Sequence, residues 1–244
     1  MRPSIFLVAS LLLAPLAASA QAPNTLTKAE SAAGWHLLWD GKTTSGWISA
    51  KHPGFPEGGW NINNGVFTVT DHEGEDGGNA GDIMTTATFT NFELSVDFRI
   101  TRGANSGIKY FVDPDKTGKS IGFEYQILDD AVHPDAKKGK NGNRTQGSLY
   151  DILPAPATKI EHPIGQWNTA RIVVRGAHIE HWLNGKKILD FERFTPHFRA
   201  LIAESKFNKI PQFGELHEGH ILLQDHGFPV AFRNIKIHEL PATK

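Results

Sequence analysis

Apolar and polar residues alternate strictly along Phe92–Ile100. In an extended chain Phe92, Leu94, Val96, Phe98 and Ile100 then share one face, and Glu93, Ser95, Asp97 and Arg99 share the other. Shorter runs of the same kind, broken by Gly, Asn, Asp and Pro, predict strands near 35–39, 60–69, 82–85, 91–100, 106–112, 121–128, 147–152, 167–175, 178–183, 186–191, 220–224 and 229–239. Asn184-Gly185 between two such runs is a hairpin signal, because glycine tolerates positive φ, and Asn63-Asn64-Gly65 reads similarly. One short helix is expected near Pro196–Phe207, where Phe198, Leu201, Ile202 and Ser205 fall on one face. Many short strands with frequent turns predict an all-β, two-sheet antiparallel sandwich in a single domain from residue 35 onward. Residues 21–34 read as a loose leader.

The first twenty residues change the picture of location. Arg2, the apolar stretch Ile5 to Leu16 and the small-residue site Ala18-Ser19-Ala20 form a secretory signal, too short for a membrane span. The protein is therefore expected to be periplasmic or secreted. It has no cysteine, which excludes disulfides, thiol catalysis, zinc–thiolate sites and a lipid anchor through an N-terminal cysteine, so the core alone must hold the fold. A formal charge of −1 supplies no basic stripe for nucleic acid.

Candidate chemistry is concentrated in four segments. Leu222-Leu223-Gln224-Asp225-His226-Gly227 and the following Val230-Ala231-Phe232-Arg233-Asn234-Ile235 place an acid, an imidazole, a guanidinium and amides in an apolar strand context, a donor and acceptor set suited to a sugar. Histidine titrates near neutrality and serves as acid or base. In Phe123–Leu128, Glu124 and Gln126 share the face opposite Phe123, Tyr125 and Ile127, and Gly122 removes a side chain beside them. In Asn105–Tyr110, Lys109 would lie near Asp97 and Arg99 if the two strands paired; surface charge pairing is the plainer reading. Tyr150 and Asp151 offer a phenol and a carboxylate, or equally a packed aromatic and a turn cap. His178-Ile179-Glu180-His181 lacks metalloprotease spacing, and alternation separates its histidines. The acidic loop 71–82 has no ordered calcium-ligand pattern. Phosphate-loop, nucleophile-elbow and dinucleotide signatures are missing. Trp35, Trp39 and Trp182 alternate as core residues would.

Seven segments, in order from Trp35 to Leu240, resemble the 3-keto-disaccharide hydrolase family: Leu37-Leu38-Trp39-Asp40-Gly41-Lys42-Thr43 with Gly46-Trp47; Gly103-Ala104-Asn105-Ser106-Gly107-Ile108; Phe123-Glu124-Tyr125-Gln126-Ile127-Leu128-Asp129; Gly147-Ser148-Leu149-Tyr150-Asp151; Gln166-Trp167-Asn168; His181-Trp182-Leu183-Asn184-Gly185; and Leu223–Gly227 through Phe232-Arg233-Asn234-Ile235. The resemblance implies a concanavalin A-like jelly roll with a sugar-binding sheet face, acting on glycosides already oxidised to a ketone at C3. It also implies a partner sugar 3-oxidoreductase upstream. Lys109 stands where the family often carries arginine, and an ammonium makes no bidentate contact.

A 3-ketone acidifies the hydrogen at C2. Base removal gives an enolate, β-elimination expels the C1 substituent, and water adds back. The site then needs a base, an acid and a cation or donors at the C3 oxygen. Glu124 and His226 are the expected base and acid, in either order. Arg233 or Lys109 would stabilise the enolate, and a divalent metal is compatible with that role. Asp97, Arg99, Gln126, Tyr150, Asp151, Gln224, Asp225 and Asn234 complete the expected sugar-binding set. An ordinary glycosidase with two flanking carboxylates and a non-catalytic lectin-like module are the competing readings.

Overall fold

A computed structural model describes residues 21–74, 81–117 and 120–242. The segment expected to be a secretory signal, and Glu75 and Asp76 of the acidic loop, lie outside the described residues. Thirteen strands form two antiparallel sheets. They are β1 (Trp35–Leu37), β2 (Trp47–Ser49), β3 (Trp60–Asn63), β4 (Val66–Val69), β5 (Ile83–Thr85), β6 (Phe92–Ile100), β7 (Asn105–Val112), β8 (Phe123–Leu128), β9 (Asn168–Arg175), β10 (His178–Leu183), β11 (Lys186–Glu192), β12 (His220–Leu223) and β13 (Val230–Glu239). The larger sheet runs β11-β10-β9-β6-β13-β4-β3, with β1 also pairing β13; the smaller runs β2-β5-β12-β7-β8. The expected two-sheet sandwich is present.

The alternating strand explains the layering. Its apolar set is fully buried, while Glu93, Ser95 and Asp97 are partly exposed and Arg99 exposed. Phe67, Phe92, Phe98 and Phe232 of the larger sheet meet Ile108, Tyr110, Phe123, Tyr125, Ile221 and Leu223 of the smaller in one core. Both predicted hairpins close with two consecutive positive-φ residues, Asn64-Gly65 and Asn184-Gly185, the geometry that matches strand twist.

Several expectations are revised. Residues 147–152 are not a strand: positive φ at Gly147 and Asp151 breaks the extended run. The segment instead bonds to the free edge of β8 through Gly147 N to Gln126 O, Gln126 N to Ser148 O and Tyr150 N to Glu124 O, which blunts that edge. The strand β2 went unpredicted. The helix over 196–207 runs Pro196–Glu204 and is capped by Thr195, but it is not alone: Lys28–Ala32 and Pro114–Thr117 are also helical. Residues 21–34 are not loose. A capping box closes the first helix at Thr27 and Glu30, and Asn24 exchanges hydrogen bonds with Asn234 (2.6 and 2.8 Å). Trp182 is not core: it lies half-buried on the outer face beneath the guanidinium of Arg171, 4.7 Å from its ring centre.

Four expected site residues belong to the outer face of the larger sheet. Asp97 accepts from Asn234 Nδ2 (2.7 Å) and Thr169 Oγ1 (2.7 Å), with Arg233 Nε at 3.5 Å. Arg99 and Arg233 both stack on Trp167, at 4.7 and 4.0 Å. This cluster pins a bulge between Arg233 and Lys236 and docks the N-terminal segment. Lys109 is not near Asp97 and Arg99, because β7 and β6 lie in different sheets.

Inside the core, His181 carries a polar relay. Its Nδ1 faces Gly147 O (3.1 Å), so that nitrogen holds the proton, and Nε2 accepts from the Tyr110 hydroxyl (2.9 Å). Burial lowers its pKa to about 4. Protonation thus favours the unfolded chain. Stability should fall as pH drops from about 6.5 toward 4, by on the order of 3 kcal/mol at this site. Urea midpoints across that window check this, and His181→Gln, which keeps a donor and an acceptor but does not titrate, should flatten this part of the dependence.

Candidate functional site

Alternation on three adjacent strands builds a polar floor. On β7 and β8, Ile108, Tyr110, Phe123, Tyr125 and Ile127 point into the core, so Lys109, Gly107, Glu124 and Gln126 point outward from the smaller sheet. Lys109 pairs with Glu124 across the strands, and Gly107 with Gln126. Just past β12, Gln224 N bonds to Gly107 O (3.0 Å) and sets the Gln224 side chain alongside. Gly107 leaves the gap: a Cβ there would sit 2.7 Å from Gln224 Oε1 and 2.9 Å from Glu124 Cγ. Gly122 plays a different part from the one expected, since its missing side chain admits the β7 backbone, with Tyr110 O at 2.4 Å from a built Cβ.

Loops wall this floor into a cavity of about 320 Å³. Glu124, Gln126, Tyr150, Gln224 and His226 line it, together with Asn105, His133, Asp135, Lys138, Lys206 and Phe228. A second lobe of about 290 Å³ shares Glu124, Lys206 and Gln224 and adds Lys109, Ile121, Gly122, Phe207 and Ile210. Carboxyl 124 and imidazole 226, a hundred residues apart in sequence, therefore converge.

Glu124 is only 6 % exposed. Burial raises its carboxyl pKa, opposed by the nearby cations Lys109 and Lys206 and by His226. With its amide turned to satisfy both ends, Gln126 donates to Ser106 O (3.0 Å) and Glu124 Oε1 (2.9 Å). Gln224 lines both lobes, and its Oε1 is buried without a partner among the described residues. Such a group costs stability unless a ligand donor meets it.

The walls are held by ion pairs. Asp135 accepts from the Tyr150 hydroxyl (2.7 Å) and Arg144 Nη1 (3.0 Å). Burial alone would raise its carboxyl, but these two partners hold it below the usual range. Burial and the same hydrogen bond push the Tyr150 phenol well up. Tyr150 is thus a wall fixed as a donor to Asp135. The ammonium of Lys206 lies 4.1 Å from the Tyr150 ring centre. The residue as a whole is exposed, yet its charged end has lost water, and this lowers its pKa. His133 Nδ1 accepts from Asp135 N (3.2 Å), which leaves Nε2 to carry a proton. Burial lowers the pKa of this ring, and neighbouring His226 lowers it further against the pull of Asp135.

Two further expected binders, Asp151 and Asp225, stand behind the cavity, and a third, Lys109, lines its second lobe. Asp151 pairs with Arg144 Nε (2.6 Å) and accepts from Lys206 N (2.7 Å); it positions both. Asp225 accepts from Gly227 N (2.9 Å) while its own N–H donates to Asp82 Oδ1 (2.9 Å), fixing the turn that presents His226. Lys109 reaches the second lobe only, with Asp82 at 3.6 Å and Ser120 O at 3.2 Å. Sequence reasoning missed Asn105, His133, Asp135, Lys138, Lys206 and Phe228. The polar, basic composition of residues 129–146 is a signal for His133, Asp135 and Lys138 alone. Among the described residues, the group of three side chains within mutual metal-binding reach is His178, Glu180 and Asp190. It lies on the outer face of β10 and β11, where Lys187 already pairs with both acids.

A curated 3-keto-disaccharide hydrolase of Bacteroides thetaiotaomicron is 36% identical over 230 residues, covering 85% of this chain and 79% of that protein. A crystal structure of a candidate glycosyl hydrolase from Parabacteroides distasonis superposes with TM-score 0.77 at 29% identity, covering 90% of this chain and all of that one. The lumenal domain of VIP36, crystallised with calcium and a mannose oligosaccharide, shares the fold alone, at TM-score 0.51 and 11% identity over 87% of this chain and 91% of that one. The model of the 3-keto-alpha-glucoside-1,2-lyase-like domain matches residues 34–238, and the chain belongs to that family.

Proposed function

We propose that the two-lobed cavity cleaves the glycosidic bond of 3-keto-glycosides by elimination across C1–C2 followed by addition of water. One observation carries the reading: the buried carboxyl of Glu124 and the rings of His226 and His133 line one cavity, with His133 Nδ1 engaged by the Asp135 backbone.

The lobes suggest the order of roles. Sugar hydroxyls fit the polar lobe, where Asn105, Gln126 and the unpartnered Gln224 Oε1 stand ready. The scissile bond then lies at the junction, beside Glu124 and Lys206. Glu124, kept protonated by burial, is the general acid for the leaving oxygen. His226 lines the sugar lobe and removes the proton at C2. The charge that moves to the C3 oxygen meets His133 Nε2–H, since adjacent sugar positions call for adjacent rings and these two rings are electrostatic neighbours. Collapse of the enolate restores the ketone, forms C1=C2 and breaks the C1–O bond as Glu124 gives its proton. In the second half the Glu124 carboxylate takes a proton from water as its oxygen adds to C1, and His226 returns the proton to C2. Both groups end as they began.

Asp97, Arg99, Arg233 and Asn234 have no part in this scheme. A two-carboxylate glycosidase is less favoured, because the other carboxyl of the cavity, Asp135, is committed to Arg144 and Tyr150. The substrate implies an oxidoreductase that first makes the ketone, and the N-terminal segment suits export to the periplasm or medium.

Glu124→Gln should slow release of the leaving group about 10²–10⁴-fold while C2–H still exchanges with deuterium in D₂O. His226→Ala should lose both. Mass spectrometry of recovered 3-keto-glucoside and product reads the two separately, and the opposite pattern would exchange the roles. An unoxidised glucoside should not turn over. A second test uses pH. The acid must be protonated, so kcat/KM falls as Glu124 ionises, at a pH above the ordinary glutamate value because burial raises it. Lys206 lowers that pKa; Lys206→Met should therefore move the alkaline limb to higher pH, whatever it does to the plateau.

A further inference from the structure

The second lobe differs in chemistry from the first. Ile121, Phe207 and Ile210 supply its apolar wall, and Gly122 contributes no side chain. Its cation, Lys109, is largely buried and held by Asp82 and the Ser120 carbonyl. Phe207 is rigid: it stacks on Phe213 at 4.2 Å with 9° between the planes. Its ring also lies 5.1 Å from the Lys206 ammonium, which contacts Tyr150 on the other side. Lys206 thus stands at the divide between a polar lobe and one that is polar on one side and apolar on the other.

We infer that this second lobe is the leaving-group subsite and that it selects an apolar, ring-bearing aglycone over a second sugar. The inference rests on the proposed cleavage reaction and deepens it. A hexose placed here would set part of its ring and hydroxyls against Ile121, Phe207 and Ile210, which offer no hydrogen bond, and only Lys109, Lys206 and Gln224 could meet the rest. A planar or cyclic hydrocarbon would instead cover the Phe207 face and displace water from the isoleucines. The lobe volume of about 290 Å³ sits near the lower end of small-molecule sites, room for one ring rather than an extended chain. Glu124 at the junction then faces the oxygen that joins the two halves.

The test compares the benzyl, methyl and glucosyl 3-keto-glucosides of one anomeric configuration. All three leave as aliphatic alcohols protonated by Glu124, so intrinsic leaving-group ability differs little. Benzyl should exceed both methyl and glucosyl in kcat/KM by roughly 10–100-fold, the scale of apolar pocket discrimination. Phe207→Ala and, as a variant that spares the aromatic stack, Ile210→Ser should each bring the benzyl-to-methyl ratio toward one. The ratio cancels any loss common to both substrates. Turnover of the three at similar rates, or a glucosyl preference that survives both substitutions, overturns the inference and leaves the reaction standing. Failure to turn over any 3-keto-glucoside overturns the reaction and this assignment with it.

Discussion

Withdrawal of the Glu124 carboxyl from water is the constraint on which the rest of the site depends. It sits on the outer face of a sheet, a place a sandwich ordinarily leaves wet. Here loops 129–138 and 205–210 roof that face, and the carboxyl becomes buried without joining the core. Desolvation favours its neutral form. The two ammonium groups of Lys109 and Lys206 keep the cost within bounds by pulling the other way. A carboxyl balanced like this is biased toward its protonated form while cations stand beside it.

The surrounding ion pairs serve that balance. Asp135, Asp151 and Arg144 form a closed set that fixes the wall and, through Lys206 N, the approach of the Lys206 ammonium. Tyr150 spends its hydroxyl on Asp135 and offers only its ring to the cavity. Asp225 and Gly227 hold the turn under His226. None of these groups needs to touch substrate for the site to depend on it. Each restricts where a titratable group stands, and proton transfer is sensitive to displacements well under a bond length.

Period-two patterning made the layers legible, because a strand such as Phe92–Ile100 reports its buried face directly. Turn chemistry gave both hairpins for the same local reason. The pattern could not say which of two outer faces a polar residue occupies. Asp97 alternates with apolar neighbours just as Glu124 does, yet Asp97, with Arg233 and Asn234, pins a bulge on the far sheet while Glu124 and Gln224 floor the cavity. That distinction depends on strand order, which is a long-range property. The 147–152 segment misled because left-handed residues at Gly147 and Asp151 interrupt an otherwise strand-like composition. His133, Lys138 and Lys206 lie in loops, where no period exists to mark them.

Gly107 shows how a single backbone position connects fold to chemistry. Its neighbours in β7, Ser106 and Ile108, are fully buried, and the strand is continuous through it, so the fold alone would accept a side chain on the outer face. The conflict comes from Glu124 and Gln224, whose side chains already converge within 3 Å of where a Cβ would be. Adding even a methyl group would push the acid away from the amide that shares the floor with it. The glycine is therefore required by the neighbours of the strand, and a reader of the sequence sees only one more small residue in a β run.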